Sequence, residues 1–195
     1  MKSVCLALIF SSLCAFGQTY QMGTPRYAGP GCPAGTASFA LTEDGQSISI
    51  LFDKFIGQIT PGMRGLSMSC QIVVPVSLTP GYSLDTTVIY YNGFTNLPKD
   101  AALRLTTSGF SISRMAPRLA TTSLINGPNM NNFSIQQRVL NGLPNIPKCP
   151  KDPNLSLTIT AELIGRGIQG SFAIDSADVG GAGVVVSVGL KPCRI

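Results

Sequence analysis

Apolar and polar residues alternate with a period of two along much of the chain, the pattern of strands with one buried face. Ala37, Phe39 and Leu41 share one face of Thr36–Leu41, and Ile48, Ile50 and Phe52 share one face of Ser47–Phe55. Between them lies Glu43-Asp44-Gly45-Gln46, a turn in which Asp-Gly supplies the positive-φ position of a tight hairpin. Met68–Val76 predicts the next strand, and Pro75 places it at a sheet edge or marks its end. Thr79-Pro80-Gly81 predicts a turn, and Tyr82–Tyr91 a β-branched and aromatic strand that ends at Asn92-Gly93. Ala101–Thr107 and Phe110–Arg114 predict two further short strands. Pro117–Asn132 is polar, contains Asn126-Gly127-Pro128-Asn129, and predicts a long loop. Phe133–Leu140 alternates, whereas Pro144, Pro147, Pro150 and Pro153 predict irregular backbone over Leu143–Pro153. Leu155, Leu157, Ile159, Ala161 and Leu163 share one face of a strongly alternating strand. Val184–Leu190 follows the loop Gly180-Gly181-Ala182-Gly183 as the last predicted strand.

No stretch keeps a helical period beyond two turns, and no internal repeat is visible. Eight or nine short strands separated by turn signals predict an all-β chain, an antiparallel β-sandwich or jelly-roll-like single domain. The low charge and the abundance of Gly, Pro, Ser, Thr, Val and Ile agree with strands and turns rather than helices.

The first residues fall outside that pattern. Lys2 gives a short positive region, Val4–Phe16 is largely apolar, and Ala15-Phe16-Gly17 ends in the small residues a signal peptidase reads. The apolar run is shorter than the roughly 18–20 residues that span a bilayer, so no transmembrane segment is expected in the mature chain. Leu13 before Cys14 and Val4 before Cys5 do not fit a lipoprotein signal. Residues 1–17 are therefore expected to be a cleaved secretory signal, 18–31 an extended lead-in, and 32–195 the β-sandwich domain. The expected destination is periplasmic or extracellular.

Cleavage changes both charge and cysteine count. The formal charge of +5 includes Lys2, which leaves +4 on the mature chain. The basic residues are scattered, and with export this excludes nucleic acid as the expected partner. Cys5 and Cys14 leave with the signal, and Cys32, Cys70, Cys149 and Cys193 remain. Four cysteines in an exported chain predict two disulfides, with three connectivities open. A zinc site is disfavoured because no two of them are close in sequence and the chain has no histidine.

The missing histidine also removes Ser-His and Cys-His nucleophilic catalysis. A glycosidase needs only two carboxyls about 5–10 Å apart, for which acids such as Asp53 or Asp175 are the candidates. Such sites stack sugars on aromatic rings, however, and the chain has no tryptophan and five tyrosines. Asp175 and Asp178 precede a Gly-rich stretch but lack the dense spacing of a calcium loop. No catalytic, metal or cofactor site is predicted. Tyr90-Tyr91 and Phe94 raise the idea of a recognition patch, but alternation puts one tyrosine in the core and the other outside, and core packing is the preferred reading. Asn132-Phe133-Ser134 and Asn154-Leu155-Ser156 are glycosylation sequons at expected loop-to-strand junctions.

One stretch carries a resemblance. Gly29-Pro30-Gly31-Cys32-Pro33-Ala34-Gly35-Thr36-Ala37, followed by Asp44-Gly45 and Leu51-Phe52-Asp53, resembles the secreted domain-of-unknown-function family 4360. Cys70, Pro80-Gly81-Tyr82, Tyr91-Asn92-Gly93-Phe94, Leu97, Ala101, Gly127-Pro128, Cys149 and Cys193 continue the pattern along most of the mature chain. Arg64 lies away from Cys70, Pro150 follows the third cysteine and Leu190 stands three before the last, each a departure from the family's habit. The resemblance implies an exported, disulfide-bonded β protein with no known activity. By that analogy and by chain proximity, Cys32 is expected to pair with Cys70 and Cys149 with Cys193. The expected role is a non-enzymatic binding or structural component at the cell surface or outside the cell, meeting envelope or extracellular glycan or protein. The alternatives are a carbohydrate-active enzyme and an inhibitor or effector of a foreign protein that uses the Pro117–Asn132 loop.

Overall fold

The structure, a computed structural model, describes residues 20–43, 45–110, 120–140, 154–165, 169–174 and 183–193. These residues form two antiparallel sheets packed as a sandwich. The first strands in sequence are β1 (Tyr20–Met22), β2 (Arg26–Ala28), β3 (Ala37–Leu41), β4 (Ser47–Phe52) and β5 (Ile56–Ile59). Then come β6 (Gly65–Leu78), β7 (Tyr82–Leu97), β8 (Ala102–Phe110) and β9 (Ala120–Asn126). The last are β10 (Asn129–Leu140), β11 (Asn154–Ile164), β12 (Gly170–Ile174) and β13 (Val184–Pro192). One sheet has six strands in the order β1-β6-β11-β8-β9, with β2 also on β6. The other has seven, in the order β3-β4-β13-β7-β12-β5, with β10 on the remaining edge of β7.

Alternation sets which residues fill the space between the sheets. Leu155, Leu157, Ile159, Ala161 and Leu163 of β11 face Ile48, Ile50 and Phe52 of β4 and the inward residues of β7 and β13 across one continuous core. The first hairpin forms as its pattern predicts, with Phe39 opposite Ile50 and Gly45 at φ 66° in the turn. Leu41 nevertheless lies at the rim and is exposed. Cys32 and Cys70 are joined by a disulfide and fully buried. Cys149 lies outside the described residues, as do residues 1–19, Asp175 and Asp178.

Several expectations are corrected. The predicted loop Pro117–Asn132 is, over its described part, the β9–β10 hairpin, which turns at Asn126–Asn129 around a cis Gly127-Pro128 bond. A Cβ on Gly127 would meet the Pro98 carbonyl oxygen at 2.0 Å, and the Gly127 N–H donates to the Ala101 carbonyl at 2.8 Å. The hairpin tip is thus docked on the neighbouring β7–β8 turn. Its polar composition misled because two of the three inward residues of β9, Thr121 and Ser123, meet hydrogen-bonding groups, and only Ile125 packs on the apolar core.

The strand expected to stop at Asn92-Gly93 runs on to Leu97, and no turn forms. Gly93 serves packing instead: a Cβ there would lie 2.3 Å from the Ala173 carbonyl oxygen and 2.7 Å from the Phe133 ring, its cross-strand partner. A glycine beneath an aromatic neighbour is a known way to seat the ring on the sheet. Gly57 and Phe172 repeat the arrangement on β5 and β12. Gly57 occupies an inward position of β5, which hides that strand's alternation, while β12 is only five residues long, with Phe172 and Ile174 inward, and neither strand was expected. Pro75 lies within a central strand, where β11 pairing ends and between the stretches of β6 held by β2 and β1. Neither neighbour needs its missing N–H there, which is why the proline is tolerated away from an edge. Ala101–Thr107 extends into one continuous strand, β8, through Phe110.

Candidate functional site

β7 is the axis of the seven-stranded sheet. One edge pairs with β10 over Thr86–Leu97, while the other pairs with β13 up to Tyr91 and with β12 from Gly93. Its sequence alternates in two registers of different chemistry. Thr87, Ile89, Tyr91, Gly93, Thr95 and Leu97 point inward and are buried. Val88, Tyr90, Asn92, Phe94 and Asn96 point outward.

The inward register is pinned by polar groups. The Tyr91 hydroxyl donates to Thr107 Oγ1 of the facing sheet, and Thr107 donates to Gln137 Oε1 on β10. Gln137 Nε2 then donates to the Leu105 carbonyl at 2.9 Å and to Ser123 Oγ at 3.0 Å. Strands from both sheets are thereby tied at one corner, with Tyr91, Thr107 and Gln137 all buried. Burial holds the Tyr91 phenol well above its ordinary pKa range, partly offset by the hydrogen bond to Thr107, so it remains a neutral donor. Thr95 Oγ1 adds a bond of 2.8 Å to Asn129 Oδ1 at the far end of the same pair of strands.

The outward register builds an open face. Tyr90 stands opposite Gln136 on one side and Val185 on the other. Phe94 stands between Asn132 and Ala173, with Ile56 one strand further out. Between those rows Asn92 faces Ser134, and beyond them Asn96 lies between Met130 and Ser171. From the Tyr90 row to the Asn96 row, none of these outward side chains is charged; Arg138 lies at the margin, opposite Val88. Tyr90 is 42 % exposed, Ile56 54 % and Met130 69 %, and the Tyr90 hydroxyl has no hydrogen bond among the described residues. Two aromatic rings set among neutral amides and hydroxyls can bind a ligand with apolar C–H faces and many hydroxyls.

The outer face of the six-stranded sheet differs. Ser69, Thr160, Thr106 and Thr122 form one row across it, with Thr106 and Thr122 hydroxyls 3.1 Å apart. The next row carries an Arg104–Glu162 ion pair at 2.9 Å. No aromatic ring faces outward in those two rows, which makes the β7 face the stronger candidate.

The residues singled out from sequence are dispersed. Tyr91 is in the core and Tyr90 outside, as alternation requires, but Phe94 shares the outer face with Tyr90. Asn132 is exposed within β10 rather than at a junction, and Asn154 begins β11. Asp53 is exposed beside the end of β4, and Asp85 is paired with Lys191 at 3.2 Å. Among the described residues no three metal-ligating side chains converge, and no helix is long and apolar enough to cross a membrane.

A family model described as a domain of unknown function, DUF4360, matches residues 19–193. The chain belongs to the DUF4360 family. The DUF4360 chain is also 33 % identical over 75 residues to an uncharacterized secreted protein of Arthroderma benhamiae. That match covers 37 % of this chain and 31 % of the relative, so the chain spans about a third of that protein's length. Among solved structures, TmCBM61 in complex with β-1,4-galactotriose aligns over 88 % of this chain and 90 % of its own. The identity is 11 % and the TM-score 0.31, too slight a likeness to bear on function.

Proposed function

We propose that this DUF4360 protein is a secreted, non-catalytic binding protein that holds a neutral glycan on the outer face of its seven-stranded sheet. The observation that carries the reading is the outward row of β7, where exposed Tyr90 and half-buried Phe94 alternate with Asn92 and Asn96 on a face that bears no charge among the described residues of those rows. Sugar rings offer C–H faces to aromatic rings and hydroxyls to amides, and amides both donate and accept. An uncharged face neither attracts nor pays to desolvate ions, which favours a neutral polymer over an acidic one. Export places such a face among envelope and extracellular polysaccharides.

The test is retention on insoluble cellulose, chitin, β-1,3-glucan, mannan and galactan, compared for the secreted protein and Tyr90→Ala. A ligand covering roughly 60 Å² of the tyrosine would contribute about 1.5 kcal/mol. The variant should therefore bind the retained polysaccharide roughly tenfold more weakly while unfolding like the parent. Retention by none of the five, or equal retention of the variant, would remove this reading. Capture of a protein instead would point to the same face serving a protein partner.

A further inference from the structure

We infer that the β7 face recognises an internal stretch of a polymer, laid along the strand across both rings, and not a single sugar or a chain end. This rests on the glycan reading above and deepens it. Tyr90 and Phe94 lie four residues apart on one outward register, which at the rise of a β-strand separates them by about 13 Å. That distance exceeds one pyranose ring, so a monosaccharide reaches one aromatic ring and never both. Exposed Ser134, opposite Asn92 midway between them, offers a hydroxyl to the intervening units.

Among the described residues, both ends of the row are open. Beyond Phe94 the face continues through Asn96 and Met130, which are exposed, and beyond Tyr90 it continues through Val88, with exposed Arg138 beside it. No described residue in those rows forms the wall that recognition of a chain terminus needs, so a polymer can enter and leave along the strand direction. The strand spacing of about 4.8 Å leaves β10 on one side and β12 or β13 on the other as shallow borders. Two linked contacts on one rigid face act as a bivalent site, in which the second contact forms at high effective concentration.

The experiment uses the polysaccharide retained by the secreted protein and its oligosaccharides of one to six units, titrated calorimetrically against the parent, Tyr90→Ala and Phe94→Ala. Parent affinity should rise at least tenfold between two and four units and then level off. Either substitution should erase the gain, so that long and short ligands bind alike. Thermal unfolding of Phe94→Ala checks that its half-buried ring is not needed for folding, and Tyr90→Ala carries the test if it is. Equal affinity for one unit and four, or a length dependence that survives Tyr90→Ala, would overturn the inference while leaving a glycan-binding face. Failure of every polysaccharide to be retained would instead overturn the reading beneath it.

Discussion

Gln136 and Gln137 are neighbours in β10 with opposite fates, and replacing each by methionine tests the corner that holds β7 in place. Gln136 is exposed, whereas Gln137 is buried and engages Thr107, Leu105 and Ser123. Methionine conserves length but cannot hydrogen-bond as an amide does. At position 137 it strands the buried Thr107 hydroxyl proton, at about 1–3 kcal/mol, and takes from the Leu105 carbonyl a second hydrogen bond beyond those of the sheet, at about 1 kcal/mol. Ser123 is half-buried and can turn to water. The gain from burying a thioether offsets part of this, leaving a net loss of about 2 kcal/mol. For a chain of this size that corresponds to a fall in Tm of roughly 4–8 °C. Gln136→Met should stay within about 0.5 kcal/mol of the parent. Urea unfolding with the Cys32–Cys70 disulfide intact measures both, and the slope should not change. In a double-mutant cycle, Tyr91→Phe and Gln137→Met should couple by at least about 0.5 kcal/mol through Thr107. Equal, small effects at positions 136 and 137 would refute the buried network.

Replacing Cys32 and Cys70 together by alanine opens a loop of 38 residues and should cost about 4 kcal/mol, read by chemical denaturation against the oxidised parent. Gly93→Ala should lower stability by about 2–3 kcal/mol, because the new methyl group collides with a backbone carbonyl as well as the Phe133 ring; thermal unfolding checks it. The buried Tyr91 phenol binds its proton more tightly folded than unfolded, so its contribution is whole below about pH 10 and declines as pH rises above it. Tyr91→Phe should flatten that alkaline decline in unfolding free energy, measured between pH 9 and about 11.

How far the sequence could be read depended on what each strand faces. Where an inward row is aliphatic, as in β4 and β11, the period of two was visible and gave both strand and face correctly. Where the inward row is glycine, as at Gly57 and Gly93, the alternation vanishes because the volume is filled by a phenylalanine from the next strand. Where it is mostly polar, as in β9, the strand looks like a loop, since Thr121 and Ser123 meet a backbone carbonyl and a glutamine and only Ile125 is apolar. The candidate face suffered from the same limit. Tyr90 and Tyr91 divided between surface and core as expected, but Phe94 was separated from them by a turn that does not exist. Reading β7 through Gly93 is what brings Phe94 into line with Tyr90, and the signal for it was the unbroken Tyr90–Asn96 alternation of aromatic and amide.

The place of β13 in the seven-stranded sheet has a consequence for how the molecule is made. Residues 184–192 insert between β4 and β7, so the middle of that sheet is supplied by a strand synthesised after all the other described ones. A chain threading out of a cell from its N-terminus can form the β3–β4 hairpin early, but β4 and β7 have no shared neighbour until β13 emerges. The sheet must then be completed after translocation, with strands far apart in sequence meeting late and folding slowly as non-local pairings do. Quality control at the point of export would accordingly see a half-built sandwich with an open central slot for as long as β13 is withheld.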